Sequence, residues 1–155
     1  MITQGLQDYL ELIYNKISNH QEIKAIDIAR EFNISRSSVS EALIRLADKD
    51  LIIYEGKKGI QITQNGKIEA RKVIKKHKIL SEFFNEILGV NGKLSSENAC
   101  KIEHVIDDKI IKQIRNFNIF CKNKNINKQF IESINNNDWK ITYIWKIFRP
   151  AIVNI

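Results

Sequence analysis

The sequence predicts a mainly α-helical fold: three short helices closed by a two-stranded hairpin, then a second unit built from longer helices. Three observations carry this. A single proline, Pro150, and six glycines gathered at a few joints leave most of the chain able to be helical. Two short segments with helical apolar spacing are joined by a tight turn over Asn33-Ile34-Ser35. Directly after them, two β-prone runs flank the turn Glu55-Gly56-Lys57-Lys58-Gly59.

Leu6, Tyr9, Leu10, Ile13 and Ile17 recur at helical spacing and define a first amphipathic helix over residues 5–17, ended by Asn19-His20. Ile26, Ile28, Ala29 and Phe32 mark a second helix of about two turns. Ser35 is placed to cap a third, residues 36–48, whose inward face is Val39, Ala42, Leu43 and Leu46. With the small Ala29 at their crossing, the second and third helices form a helix-turn-helix pattern. Two helices of an ordinary bundle would look the same, and the hairpin separates the two readings. Leu51-Ile52-Ile53-Tyr54 is apolar and β-prone, and Ile60-Gln61-Ile62-Thr63 alternates like a half-buried strand. A hairpin with lysines at its tip, directly behind such a helix, is a wing. Thr63 then caps a fourth helix, residues 64–87, with Ile68, Val73, Ile74, Leu80, Phe83 and Phe84 apolar. Gly89 and Gly92 separate it from a fifth over 95–117, carrying Ile102, Val105, Ile106, Ile110, Ile111 and Ile114. Phe130, Ile131 and Ile134 hint at a sixth helix within residues 122–138, and Trp139 to Ile155 is apolar, aromatic and β-prone.

Composition narrows the class. The 155 residues hold 43% hydrophobic and 28% charged side chains, the balance of a folded globular chain. Lys and Arg number 25 against 18 Asp and Glu, a formal charge of +7 that suits a polyanionic partner. A Lys-, Asn- and Ile-rich habit would give the same excess. No apolar run approaches the ~20 residues of a membrane helix. Met1-Ile2-Thr3-Gln4-Gly5 lacks the cationic start and apolar core of a secretory signal. Cys100 and Cys121 are too few for a disulfide framework. A cytoplasmic protein is expected.

A helix-turn-helix sets the N-terminal half of its second helix in the major groove of DNA. With Val39, Leu43 and Leu46 inward, Arg36, Ser37, Ser38, Ser40, Glu41 and Arg45 face out. The serines suit phosphates or base edges, the arginines phosphate, and Glu41 the amino group of cytosine. Lys57 and Lys58 on the wing suit backbone contact. Each residue alone also reads as solvated surface, so the case is their shared placement.

A second constellation is rich in metal ligands. Asp8 and Glu11 share a face of the first helix at i and i+3. Cys100, Glu103 and His104 share a face of the expected fifth helix, and His77 stands on the fourth. Oxygen, nitrogen and sulfur donors together suit Mn(II), Fe(II), Co(II) or Zn(II). Singly, the carboxylates also read as a solvated face, Cys100 as a small core residue and His77 as a surface histidine among Lys75, Lys76 and Lys78.

At Gln7-Asp8-Tyr9-Leu10-Glu11-Leu12-Ile13-Tyr14, Ile62-Thr63-Gln64-Asn65-Gly66, Lys76-His77-Lys78 and Ala99-Cys100-Lys101-Ile102-Glu103-His104, the sequence resembles the diphtheria toxin repressor family of iron- and manganese-dependent repressors. The likeness runs over about residues 3–117. It implies a homodimer whose fourth and fifth helices build a metal-binding and dimerisation domain. It also implies Asp8, Glu11, His77, Cys100, Glu103 and His104 as metal ligands. The manganese branch carries acidic residues at the positions of Asp8 and Glu11, and the iron branch carries Cys at that of Cys100, so this chain is a hybrid. Ser81 and Ser96 stand where the iron branch has ligands of its ancillary site, and Glu82 is about 100° out of phase with Ser81. Glu41 replaces a common Gln of the recognition helix. Many relatives add a C-terminal domain resembling an SH3 barrel, for which too few residues follow 117.

The expected organisation is a winged helix-turn-helix DNA-binding domain over 1–64, a helical metal-binding and dimerisation domain over 65–120, and an atypical tail over 121–155. The expected function is an Mn(II)- or Fe(II)-dependent repressor of metal homeostasis genes, acting as a homodimer on a near-palindromic operator in double-stranded DNA. The alternative is a winged-helix regulator answering to an organic effector or to none. A metallohydrolase using His77, Glu103 and His104 would need an open metal position and a placed general base, and the sequence displays neither.

Overall fold

The computed structural model describes residues 2–55 and 59–136. Lys57 and Lys58, and residues 137–155 of the expected tail, lie outside the described residues. The chain divides into two compact units between His77 and Lys78.

The first unit contains α1 (Gln4–Ser18), α2 (Ala25–Glu31), α3 (Arg36–Ala47), β1 (Ile52–Tyr54) and β2 (Ile60–Ile62), and it takes in the start of α4 (Gln64–Glu82). Its core is the set that the helical spacing selects. Leu6, Leu10 and Ile13 enter from α1, Ile28 and Ala29 from α2, and Val39, Ala42, Leu43 and Leu46 from α3. Leu51, Ile52, Ile60 and Ala70 close it from the wing side. Burying each large aliphatic contributes about 1.5–3 kcal/mol, which outweighs the weak propensity of so short a helix as α2.

Local signals set the ends. The Asp27 carboxylate accepts the Lys24 N–H at 2.9 Å and starts α2. Asn33, at φ +52°, turns the chain out of α2. Ser35 then caps α3 by accepting the Ser38 N–H at 3.1 Å. β1 and β2 pair antiparallel with Ile52 opposite Ile62 and Tyr54 opposite Ile60. The wing is fastened to α4 by Thr63, whose hydroxyl donates to the Asp50 carbonyl at 2.7 Å and accepts the Gly66 N–H at 3.0 Å. Gly66 is required here: a Cβ would overlap the carbonyl oxygen of Leu51. On the other side, Arg71 of α4 donates to the Tyr14 hydroxyl of α1 at 3.0 Å and lies 5.7 Å over its ring. That hydrogen bond holds the Tyr14 phenol below its ordinary pKa.

The second unit holds the end of α4, a π-helical turn at Phe83–Ile87, α5 (Gly92–Ile102), α6 (Asp108–Lys124) and α7 (Ile126–Asn135). Ile79, Leu80, Ala99 and Ile111 form its core, with Phe84, Ile102, Ile106 and Ile114 packed around them. Asn118 ties α6 to α4 through a hydrogen bond to the Ile79 carbonyl at 3.1 Å. Lys122 reaches Glu86 at 2.8 Å and Glu82 at 3.5 Å, and the Glu86 carboxylate raises its pKa. Gly89, at φ +72°, lets α7 approach so closely that its Cβ position is 3.1 Å from Ile131.

Here the structure corrects two expectations. The single helix expected over 95–117 is two, broken at residues 103–107, because Asp107 caps a new helix by accepting the Lys109 N–H at 2.7 Å. The break resets the helical phase. Val105 and Ile110, expected on the apolar face, are therefore 77% and 54% exposed. The helix hinted at by Phe130, Ile131 and Ile134 is present as α7, which Asn125 at φ +55° separates from α6. Ile68, expected to be inward, is exposed on α4. Among the described residues, no helix is long and apolar enough to cross a membrane.

Candidate metal centre and DNA-reading surface

The break after α5 shapes the candidate centre. Cys100 lies in the last turn of α5, Glu103 is its C-cap, and His104 follows in the turn. The three are not on one helix face as the periodicity suggested. The turn nevertheless gathers them, with their ligand atoms within 4.8 Å of one another. Glu103 Oε1 lies 3.4 Å from His104 Nε2, and both side chains are 1% exposed, while Cys100 opens to solvent. Burying a carboxylate and an imidazole this deeply costs free energy that pairing or metal coordination offsets. A thiol, a carboxylate and an imidazole at such spacing fit a first-row divalent ion by donor type. Among the described residues, this is the cluster of three or more His, Cys, Asp and Glu with ligand spacing.

The other expected ligands belong to the first unit. Asp8 and Glu11 are both half-buried on α1, three residues apart and so on a shared face. His77 is half-buried on α4 at the last position of that unit. Of the positions that depart from the family's ancillary site, Ser96 is exposed and Ser81 half-buried. Glu82 is committed to Lys122.

On α3, Arg36, Ser37, Ser38, Glu41 and Arg45 are exposed as expected, whereas Ser40 is half-buried. Ser35 Oγ lies 2.8 Å from both Ser37 Oγ and Ser38 Oγ. The cap thus orders two of the expected contact hydroxyls before any partner arrives. Ile44, also on this helix, is 53% exposed and falls outside the expected contact set. Its apolar type beside Leu43 disguises it as core; its spacing of three from Glu41 is the signal that places it outward.

Residues 1–60 match the iron dependent repressor N-terminal DNA binding domain, and residues 63–129 match the iron dependent repressor metal binding and dimerisation domain. The chain belongs to the iron-dependent repressor family. This bears out the resemblance to the diphtheria toxin repressors, and with it the mainly helical winged-helix architecture. The chain is 38% identical to the HTH-type transcriptional regulator MJ0568 of Methanocaldococcus jannaschii over 117 residues, 75% of this chain and 94% of that one. It is 27% identical to the HTH-type transcriptional regulator MntR of Bacillus subtilis over 134 residues, 86% and 94% of the two chains. The solved structure of the manganese regulator SloR superposes with a TM-score of 0.64 at 27% identity, covering 72% of this chain. The match spans 52% of the SloR chain, about half its length. These relatives of the iron-dependent repressor family are transcriptional regulators and not enzymes.

Proposed function

We propose that this member of the family is a transcriptional repressor activated by Mn(II) or Fe(II), controlling metal homeostasis genes from the cytoplasm. The observation that carries the reading is the gathering of Cys100, Glu103 and His104 in one turn, with two of the three side chains almost fully buried. Asp8, Glu11 and His77 are proposed as further ligands of the same or a neighbouring ion, from their donor chemistry and the family resemblance. Bound there, an ion would supply a positive centre that offsets the buried Glu103 charge and fixes the His104 ring. The mixed donors leave both ions in play: carboxylates favour Mn(II), while the Cys100 thiolate favours the softer Fe(II). A metal that binds the DNA-competent arrangement more tightly shifts the population towards it.

The proposed partner is a near-palindromic operator in double-stranded DNA, read by a homodimer with two recognition helices. Arg36, Ser37, Ser38, Ser40, Glu41 and Arg45 are the proposed contacts of α3, with Lys57 and Lys58 on the phosphates. The proposed dimer surface is the exposed apolar set Ile110, Phe117 and Phe120 of α6 with Ile126, Phe130 and Ile134 of α7. Six large apolar side chains are partly exposed here, and four of them, Ile110, Phe117, Phe120 and Ile126, lie within the stretch that matches a dimerisation domain, which supports this role.

Selection of duplexes from a random pool, with the metal-stripped chain and then with Mn(II) or Fe(II) added, tests the proposal. Enrichment of one inverted repeat only when metal is present is the expected result. Equal enrichment without metal would favour the reading with an organic effector or none.

A further inference from the structure

We infer that Ile44 is a specificity-determining residue whose side chain contacts the C5 methyl group of a thymine in the major groove, an inference that rests on the DNA-reading role proposed above. Val39, Ala42, Leu43 and Leu46 already fill the inward face of α3, and all four are buried. Ile44 adds nothing to that core and leaves about half its surface in water, 53% exposed. Ser37, Glu41 and Ile44 stand at i, i+4 and i+7, so they form one line along the outward face of the helix. Their order is a hydroxyl, a carboxylate and a branched aliphatic group.

The major groove presents a matching chemistry. Hydroxyls and carboxylates find partners on base edges, and the thymine methyl is the one apolar group exposed there. A polar residue would be the default at an exposed helical position, since Ile has a lower helix propensity than Lys, Glu or Gln. An apolar side chain in line with two polar readers gains where it meets an apolar group on the partner. A solvated isoleucine would also be unremarkable by itself. Its alignment with Ser37 and Glu41 on the helix of the matched DNA binding domain commits it to DNA.

The test uses the Mn(II)-loaded full chain and the duplex that it selects. Each thymine of one half-site is replaced in turn by deoxyuridine, which removes only the methyl group, and affinity is measured for the parent, Ile44→Ala and Ile44→Gln. At one position the parent is expected to lose about three- to fivefold on methyl removal, the transfer free energy of one such group. There the two variants should bind thymine and uracil duplexes equally. Both variants retain the buried core of α3, so circular dichroism should match the parent. If no position shows a methyl effect that depends on residue 44, the inference is overturned while DNA reading stands. Failure of the parent to select any duplex with either Mn(II) or Fe(II) bound overturns both.

Discussion

The carboxylate of Glu103 lies 3.4 Å from the imidazole Nε2 of His104, with both side chains 1% exposed. Adjacent residues on a regular helix point about 100° apart, so this approach depends on the chain leaving α5 at Glu103. Glu103→Gln keeps the shape and removes the charge. Metal affinity should fall at least tenfold, since weaker changes to ligand surroundings already cost that much, and the far-ultraviolet spectrum should be unchanged. Competition against a fluorescent chelator measures it; undiminished affinity would exclude Glu103 as a ligand.

Asp8 is one of three proposed carboxylate donors, beside Glu11 and Glu103, in a mixed set. Asp8→Met exchanges an oxygen ligand for a thioether, which should weaken Mn(II) more than Fe(II) or Co(II). Anaerobic titration with each ion would read a shift in preference, and parallel loss for all ions would show that Asp8 sets affinity without selectivity.

Glu41 is exposed on α3 in line with Ser37. Glu41→Gln exchanges an acceptor for a group that also donates, so the preferred base should move from cytosine towards adenine. The selected consensus of parent and variant measures this. Thermal stability should stay within about 0.5 kcal/mol, as for other exposed substitutions.

Gly66 sets how closely the wing sits against α4. A methyl group there would overlap the Leu51 carbonyl and crowd Ile62, which forces the wing away from α4. Gly66→Ala should cost about 1–3 kcal/mol, lowering the melting temperature by several degrees. Calorimetry on both chains checks it.

Much of the first unit was legible because its signals are local. Ile13, Ile28, Leu43 and Leu46 recur at helical spacing, and Ser35 and Thr63 sit at helix starts. The break at residues 103–107 was not legible. It contains neither Gly nor Pro, and Ile102, Ile106 and Ile114 keep an unbroken apolar rhythm across it. The one stop signal was Asp107, an N-cap residue hidden inside an apparently continuous helix. Asn125, left-handed between α6 and α7, was equally quiet, because asparagine takes that conformation without advertising it as glycine does. The candidate ligands were nevertheless readable by type. Three of them meet by way of a turn and not a shared helix face, so donor chemistry survived an error in the local geometry.

On the reading proposed above, metal at His104 and its neighbours controls DNA binding. Fluorescence anisotropy of a labelled selected duplex, titrated with the metal-stripped chain before and after Mn(II) or Fe(II), measures this for the parent and for His104→Ala. Metal should raise parent affinity at least tenfold, about 1.4 kcal/mol of coupling, and leave a folded His104→Ala chain unaffected. An equal response to metal in parent and variant would contradict it.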